Sequence, residues 1–65
     1  MKEKSYIAST VSFSDKRCYV LFEITSSSYH TVLVASSIEE LIMMIDLNGY
    51  DRNEIEFYDE LKDYA

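Results

Sequence analysis

Apolar and polar residues alternate along two neighbouring segments near the N-terminus, which is the pattern of half-buried β-strands. The apolar residues that share a face are Ile7, Val11 and Phe13 in residues 6–13, and Cys18, Val20, Phe22 and Ile24 in residues 18–24. Residues 14–17 form the predicted hairpin loop of four residues. If Phe13 faces Cys18, then Val11 faces Val20, and the two sets coincide because opposed residues share a face. The pattern therefore predicts an antiparallel hairpin with one apolar face.

A third strand is predicted at residues 29–35, where β-branched residues are frequent. Its alternation leaves open which side faces the core. One choice buries Val32 and Val34, and the other buries Leu33 and Ala35.

One helix follows, with clear signals at both ends. Ser37 and Glu40 have the spacing of a capping box, and Gly49 suits the left-handed residue that ends a helix. Apolar residues with helical spacing form one stripe that should pack on the sheet: Ile38, Leu41, Ile42 and Ile45. Met43 and Leu47 fall outside this stripe, and Met44 lies near its edge.

Residues 50–65 fit two structures. Ile55 and Phe57 alternate with glutamates as in a strand, whereas Phe57, Leu61 and Tyr64 also have helical spacing. We favour a strand at residues 54–58 followed by a short helical or frayed tail. The predicted fold is a single small α+β domain, residues 1–65. It has an antiparallel three-stranded sheet, one covering helix, and a C-terminal strand or short helix.

Composition excludes several classes of function. The chain has 65 residues and a net charge of −6, with twelve acidic and six basic residues. This charge disfavours direct binding to nucleic acid or to an anionic membrane surface. The longest apolar runs, residues 18–22 and 41–45, are far below the roughly 20 residues that span a bilayer. With one cysteine and no secretion signal in the pattern, we expect a cytoplasmic protein.

No residue pattern indicates catalysis. His30 is the only histidine and has no local partner motif, so a structural or surface role is expected. Cys18 falls on the apolar face of a strand, unlike reactive thiols. The sequence therefore predicts no enzyme activity, no catalytic residue, no cofactor and no metal site.

Charge is divided unevenly along the chain. Residues 1–38 carry four basic and three acidic residues, a net charge of +1, whereas residues 39–65 carry two basic and nine acidic residues, a net charge of −7. The candidate partner-binding residues are Asp51, Glu54, Glu56, Tyr58, Asp59, Glu60, Asp63 and Tyr64. Tyrosine is enriched at protein interfaces. A solvated face that keeps the protein soluble is the other interpretation of the carboxylates.

The segment from Asp51 to Tyr64, on so short a chain, resembles small acidic inhibitors encoded by phages. These include anti-CRISPR proteins, anti-restriction proteins and inhibitors of DNA-repair glycosylases. The resemblance covers size, the acidic stretch and the α+β pattern, without a specific motif. It implies a protein that occupies the nucleic-acid site of a host enzyme as a DNA mimic.

We therefore expect a non-enzymatic inhibitor that binds a protein with a basic surface, such as a nucleic-acid-processing enzyme. The alternative is a structural or regulatory module that self-associates, for example as a homodimer. Its interface would be an uncovered strand edge or the helix residues Met43, Met44 and Leu47.

Overall fold

A four-stranded mixed sheet is the centre of the fold in the computed structural model, which describes residues 5–64. The elements are β1 (Ser5–Phe13), β2 (Lys16–Ile24), β3 (Tyr29–Ala35), α1 (Ile38–Leu47) and β4 (Ile55–Phe57), with 3₁₀ helices at Arg52–Glu54 and Asp59–Tyr64. The strand order is β3-β2-β1-β4, with β4 parallel to β1 and the other pairs antiparallel. The α+β class is confirmed, but the sheet has four strands instead of three. Residues 1–4 and 65 of the predicted domain lie outside the described residues.

The β1–β2 hairpin has a loop of two residues, 14–15, and the predicted loop of four is wrong. Val11 consequently opposes Cys18, where the prediction paired it with Val20. The tight turn is made possible by Ser14, whose φ is 54°, since two-residue hairpin turns require positive φ. The register error is two residues, so each side chain keeps its predicted face.

The helix covers the sheet face opposite to the one that the sequence indicated. The strand residues of the covered face are Tyr6, Ala8, Tyr19, Leu21, Leu33, Ala35, Ile55 and Phe57. Ala8 and Ala35 are small and leave room for Leu41 and Ile45, which are fully buried. In addition, a crossover between parallel strands is almost always right-handed, so the strand order restricts the helix to one face.

The open question about β3 is resolved by an irregularity in its pairing. Leu33 and Ala35 lie on the covered face, while Val34 opposes Val20 on the other face. The register shifts between Leu21 and Phe22, and Val32 also packs against the core. A bulge of this kind explains why simple alternation did not settle the face.

Both predicted helix ends are confirmed. The Ser37 hydroxyl accepts a hydrogen bond from the Glu40 N–H at 3.1 Å, and Gly49 has a φ of 81°. The Glu40 carboxylate reaches back one residue further than predicted, to the N–H and hydroxyl of Ser36. Within residues 5–64, no helix is both long and apolar enough to cross a membrane.

The C-terminal segment contains both structures that the sequence allowed, in the favoured order. Ile55 and Phe57 are buried in the strand β4, and Leu61 is buried in the 3₁₀ helix that follows. A continuous helix from Phe57 to Tyr64 is therefore excluded. All three buried residues belong to the core beneath α1.

Candidate protein-binding surface

Six exposed carboxylates lie on the segment formed by β4 and the two 3₁₀ helices. We call this surface the acidic strip, and its members are Asp51, Glu54, Glu56, Asp59, Glu60 and Asp63. All six are candidate residues from the sequence. Two cations, Arg52 and Lys62, occur in the same segment.

Buried residues fix the backbone that carries the acidic strip. Glu56 stands between Ile55 and Phe57, which are both 7% exposed, so alternation in β4 directs its carboxylate away from the core. The N–H of Tyr58 extends the pairing with β1 by donating to the carbonyl of Ala8 at 2.9 Å. The carboxylates are thus presented from a backbone that is tied to the centre of the sheet.

Glu56 and Tyr58 form a polar pair on this strip. The Tyr58 hydroxyl donates to Glu56 Oε1 at 3.1 Å. This hydrogen bond, together with repulsion between the carboxylate and a phenolate, raises the pKa of Tyr58. An exposed aromatic side chain with an oriented hydroxyl is a typical protein-interface residue.

Asp59 is oriented by hydroxyl groups of β1. Its Oδ2 accepts hydrogen bonds from Thr10 Oγ1 at 3.1 Å and from Ser9 Oγ at 3.5 Å. The residue has a φ of 57°, a conformation that Asp tolerates better than most side chains. Asp59 therefore joins the strip to the central strand as well as contributing charge.

The guanidinium of Arg17, in the β1–β2 hairpin, contacts the acidic strip. Its Nη1 lies 3.0 Å from Glu60 Oε2, and about half of each side chain is exposed. An exposed ion pair of this kind contributes roughly 0–1 kcal/mol to stability.

Arg52 links the strip to the end of α1. Its Nη2 and Nε donate to the two carboxylate oxygens of Asp46, at 2.8 and 3.2 Å. These hydrogen bonds lower the pKa of Asp46 and raise the pKa of Arg52. Arg52 Nη1 also donates to the carbonyl of Tyr64 at 3.5 Å, so one guanidinium contacts both the helix and the tail.

The two 3₁₀ helices determine where the remaining carboxylates lie. Asp51 caps the first one by accepting a hydrogen bond from the Asn53 N–H at 2.9 Å, and Glu54 ends it. In the second 3₁₀ helix, residues three apart align, which places Glu60 and Asp63 on one line.

Of the two candidate tyrosines, only one is exposed. Tyr58 is 44% exposed, whereas Tyr64 is half-buried and packs against the core. Tyr64 aligns with the buried Leu61 in the second 3₁₀ helix, which explains its position. Its ring therefore presents little surface to solvent.

Sequence reasoning missed Arg17 and Arg52 as parts of this surface. Arg17 and Glu60 are 43 residues apart, and no local pattern relates them. Arg52 could have been suspected, because Asp46 precedes it across the end of the helix.

The structure places the histidine and the cysteine away from the strip. His30 Nε2 lies 3.0 Å from Glu23 Oε1 at the start of β3, and Tyr6 also donates to Glu23. Cys18 is half-buried on β2. Among residues 5–64, no three His, Cys, Asp or Glu side chains are arranged to hold a metal ion.

Comparison with known proteins gives no relative of this chain. No protein-family model, curated protein or solved structure matches it significantly.

Proposed function

We propose that this protein is a non-enzymatic inhibitor that covers a basic surface of a partner protein with its acidic strip. One observation carries the proposal. Buried residues, Ile55, Phe57 and Leu61, alternate with exposed carboxylates, so the charges stand on a backbone fixed by the core. A partner does not have to order this segment, and the entropy cost of binding is correspondingly low.

The partner class follows from charge. The acidic strip displays a row of carboxylates on a short segment, and the exposed pair between Glu60 and Arg17 is easily exchanged. A groove lined with Lys and Arg, of the kind that binds phosphates, is the complementary surface. We propose a nucleic-acid-processing enzyme as the partner and blockage of its nucleic-acid site as the mechanism.

The finer proposal rests on the resemblance to phage-encoded inhibitors. In that class, a small acidic protein acts in the cytoplasm of the host, as anti-CRISPR and anti-restriction proteins do. What supports it here is the small α+β fold with acids concentrated on one segment.

Capture from a lysate of the native host tests the proposal. The immobilised protein should retain a nucleic-acid-processing enzyme, and duplex DNA should release it more effectively than NaCl of equal ionic strength. Release by DNA is expected because both ligands would occupy one basic site.

A matched pair of variants identifies the surface. Glu56→Gln with Asp63→Asn removes two charges from the strip, and Asp15→Asn with Glu39→Gln removes two charges elsewhere. Both proteins have the same net charge. We expect at least a tenfold loss of affinity for the first variant only. Equal affinity of the two variants, or a complex that DNA does not release, contradicts the proposal.

A further inference from the structure

The sheet has an apolar face that no described element covers. We call it the open face, and its members are Ile7, Val11, Cys18, Val20, Phe22, Ile24 and Val34. Direct pairing places them together, since Val11 opposes Cys18 and Val20 opposes Val34. The Phe22 ring also contacts the Tyr29 ring edge-on, at 6.0 Å between centroids.

The open face is separate from the core. The buried residues of α1 and of the second 3₁₀ helix all join the core cluster on the other side of the sheet. Val20 is only 4% exposed but is absent from that cluster. Val34 is 54% exposed and Tyr29 is 70% exposed. Within residues 5–64, this side of the sheet therefore has no second layer, and its apolar side chains are half-buried or buried apart from the exposed side chains of Val34 and Tyr29. The polar side chain of Ser9 also lies on this side, opposite Val20.

We propose that the open face binds a second copy of this chain, with the two sheets packed face to face in a symmetric dimer. The described residues at the centre of this surface are uncharged, so two copies can face each other across a two-fold axis without burying a charge. Stacked sheets pack about 10 Å apart with interdigitated side chains. The open face adjoins the acidic strip, because Glu56 pairs with Ile7 on the same side of the sheet. The proposal does not depend on binding of the strip to a partner.

The area of the open face suits a weak, reversible dimer. Three strands of up to nine residues cover about 30 Å by about 14 Å, at roughly 3.3 Å per residue and 4.8 Å per strand. The projected area is on the order of 400 Å² per copy and about 800 Å² for the pair, without the additional surface of the protruding side chains. Interfaces below about 1,200 Å² are typical of transient complexes. We expect a dissociation constant in the micromolar range.

The small size of the chain also favours dimerisation. A domain of about 60 residues buries only about 60% of its unfolded surface, and small domains are commonly stabilised by oligomerisation. In the part of the chain that the structure describes, one side of this sheet has no covering layer, and a second copy would provide one.

Charge layout makes the dimer respond to salt in a characteristic way. The charged strand residues on this side of the sheet are Lys16, at the end of β2, and Glu56, on the edge strand β4. Attraction is therefore apolar, while two copies with a net charge of −6 repel each other. Added salt screens the repulsion and should strengthen the dimer, whereas it would weaken binding of the strip to a basic partner.

Sedimentation equilibrium over a concentration series tests the proposal with the full chain. Wild type should dimerise, and Val34→Lys should raise the dissociation constant at least tenfold by placing a charge in the interface. Met43→Lys is the matched control, because Met43 is 58% exposed on the outer side of α1.

The outcomes separate the alternatives. Unchanged dimerisation of Met43→Lys, combined with loss in Val34→Lys, supports the open face. A wild-type protein that stays monomeric up to millimolar concentration overturns the proposal, and so does a larger loss in Met43→Lys, which would move the interface to the helix. If circular dichroism shows that Val34→Lys is unfolded, Thr31→Lys decides in the same way, since Thr31 is exposed and opposes Phe22.

Discussion

The backbone N–H of Tyr58 donates a hydrogen bond to the carbonyl of Ala8 at 2.9 Å. Ala8 is fully buried in β1, so this bond joins the acidic strip to the centre of the fold. The strip and the sheet consequently form one folded unit, and changes in the core beneath the strip should alter its presentation.

Leu61 anchors the second 3₁₀ helix, and its side chain is fully buried. We expect Leu61→Ala to lower the free energy of unfolding by about 2–5 kcal/mol, through lost burial and the cavity that remains. A protein of this size has only about 3–10 kcal/mol in total. Urea unfolding measures the effect. Leu47→Ala is the control, because Leu47 is 77% exposed, and similar losses in both variants would contradict the described packing.

Ser37 caps α1. We expect Ser37→Ala to reduce the free energy of unfolding by about 1 kcal/mol, because the N–H of Glu40 loses its acceptor. Thermal unfolding compares Ser37→Ala with Ser27→Ala, a control substitution in an exposed loop. A stability loss no larger than that of Ser27→Ala would show that the cap does not form.

Asp46 and Arg52 give stability a dependence on acid pH. The folded-state pKa of Asp46 is below its ordinary value of about 3.9, so the ion pair stabilises the protein above that value and is lost as the pH falls through the lowered pKa. Both side chains are exposed, and the effect should be small and reduced by salt. Asp46→Asn should be less stable than wild type at pH 7, and the difference should shrink as the pH falls through the lowered pKa of Asp46. A stability difference that does not vary with pH would contradict the pairing.

The pair formed by Glu56 and Tyr58 is visible by titration. The carboxylate raises the pKa of Tyr58, so Glu56→Gln should move that pKa down towards about 10. Site-resolved NMR of the tyrosine rings follows Tyr58 separately from the other tyrosines. An unchanged Tyr58 titration would mean that the pair is absent in solution.

Local signals in the sequence predicted the helix and the C-terminal strand correctly. Ser37 and Gly49 specify the ends of α1 through hydrogen bonds and backbone conformation within a few residues. Ile55 and Phe57 specify β4 through simple alternation.

Features that depend on distant parts of the chain were not predictable in the same way. Both sides of the hairpin carry apolar residues, so the side that α1 covers is decided by chain connection and by the small size of Ala8 and Ala35. The positive φ of Ser14 shortened the turn although no glycine marked it. All six carboxylates of the acidic strip were candidates from the sequence, whereas the contact of Arg17 with Glu60 required the fold.

Cys18 provides the most direct test of the central claim that the open face is an interface between two copies. It is the one cysteine of the chain and is half-buried on that face. The measurement is the rate of its alkylation by iodoacetamide at protein concentrations below and above the dimer transition. We predict slower alkylation at high concentration in wild type, and equal rates at both concentrations in Val34→Lys. A wild-type rate that is the same at both concentrations, in a sample that sedimentation shows to be dimeric, would contradict the account.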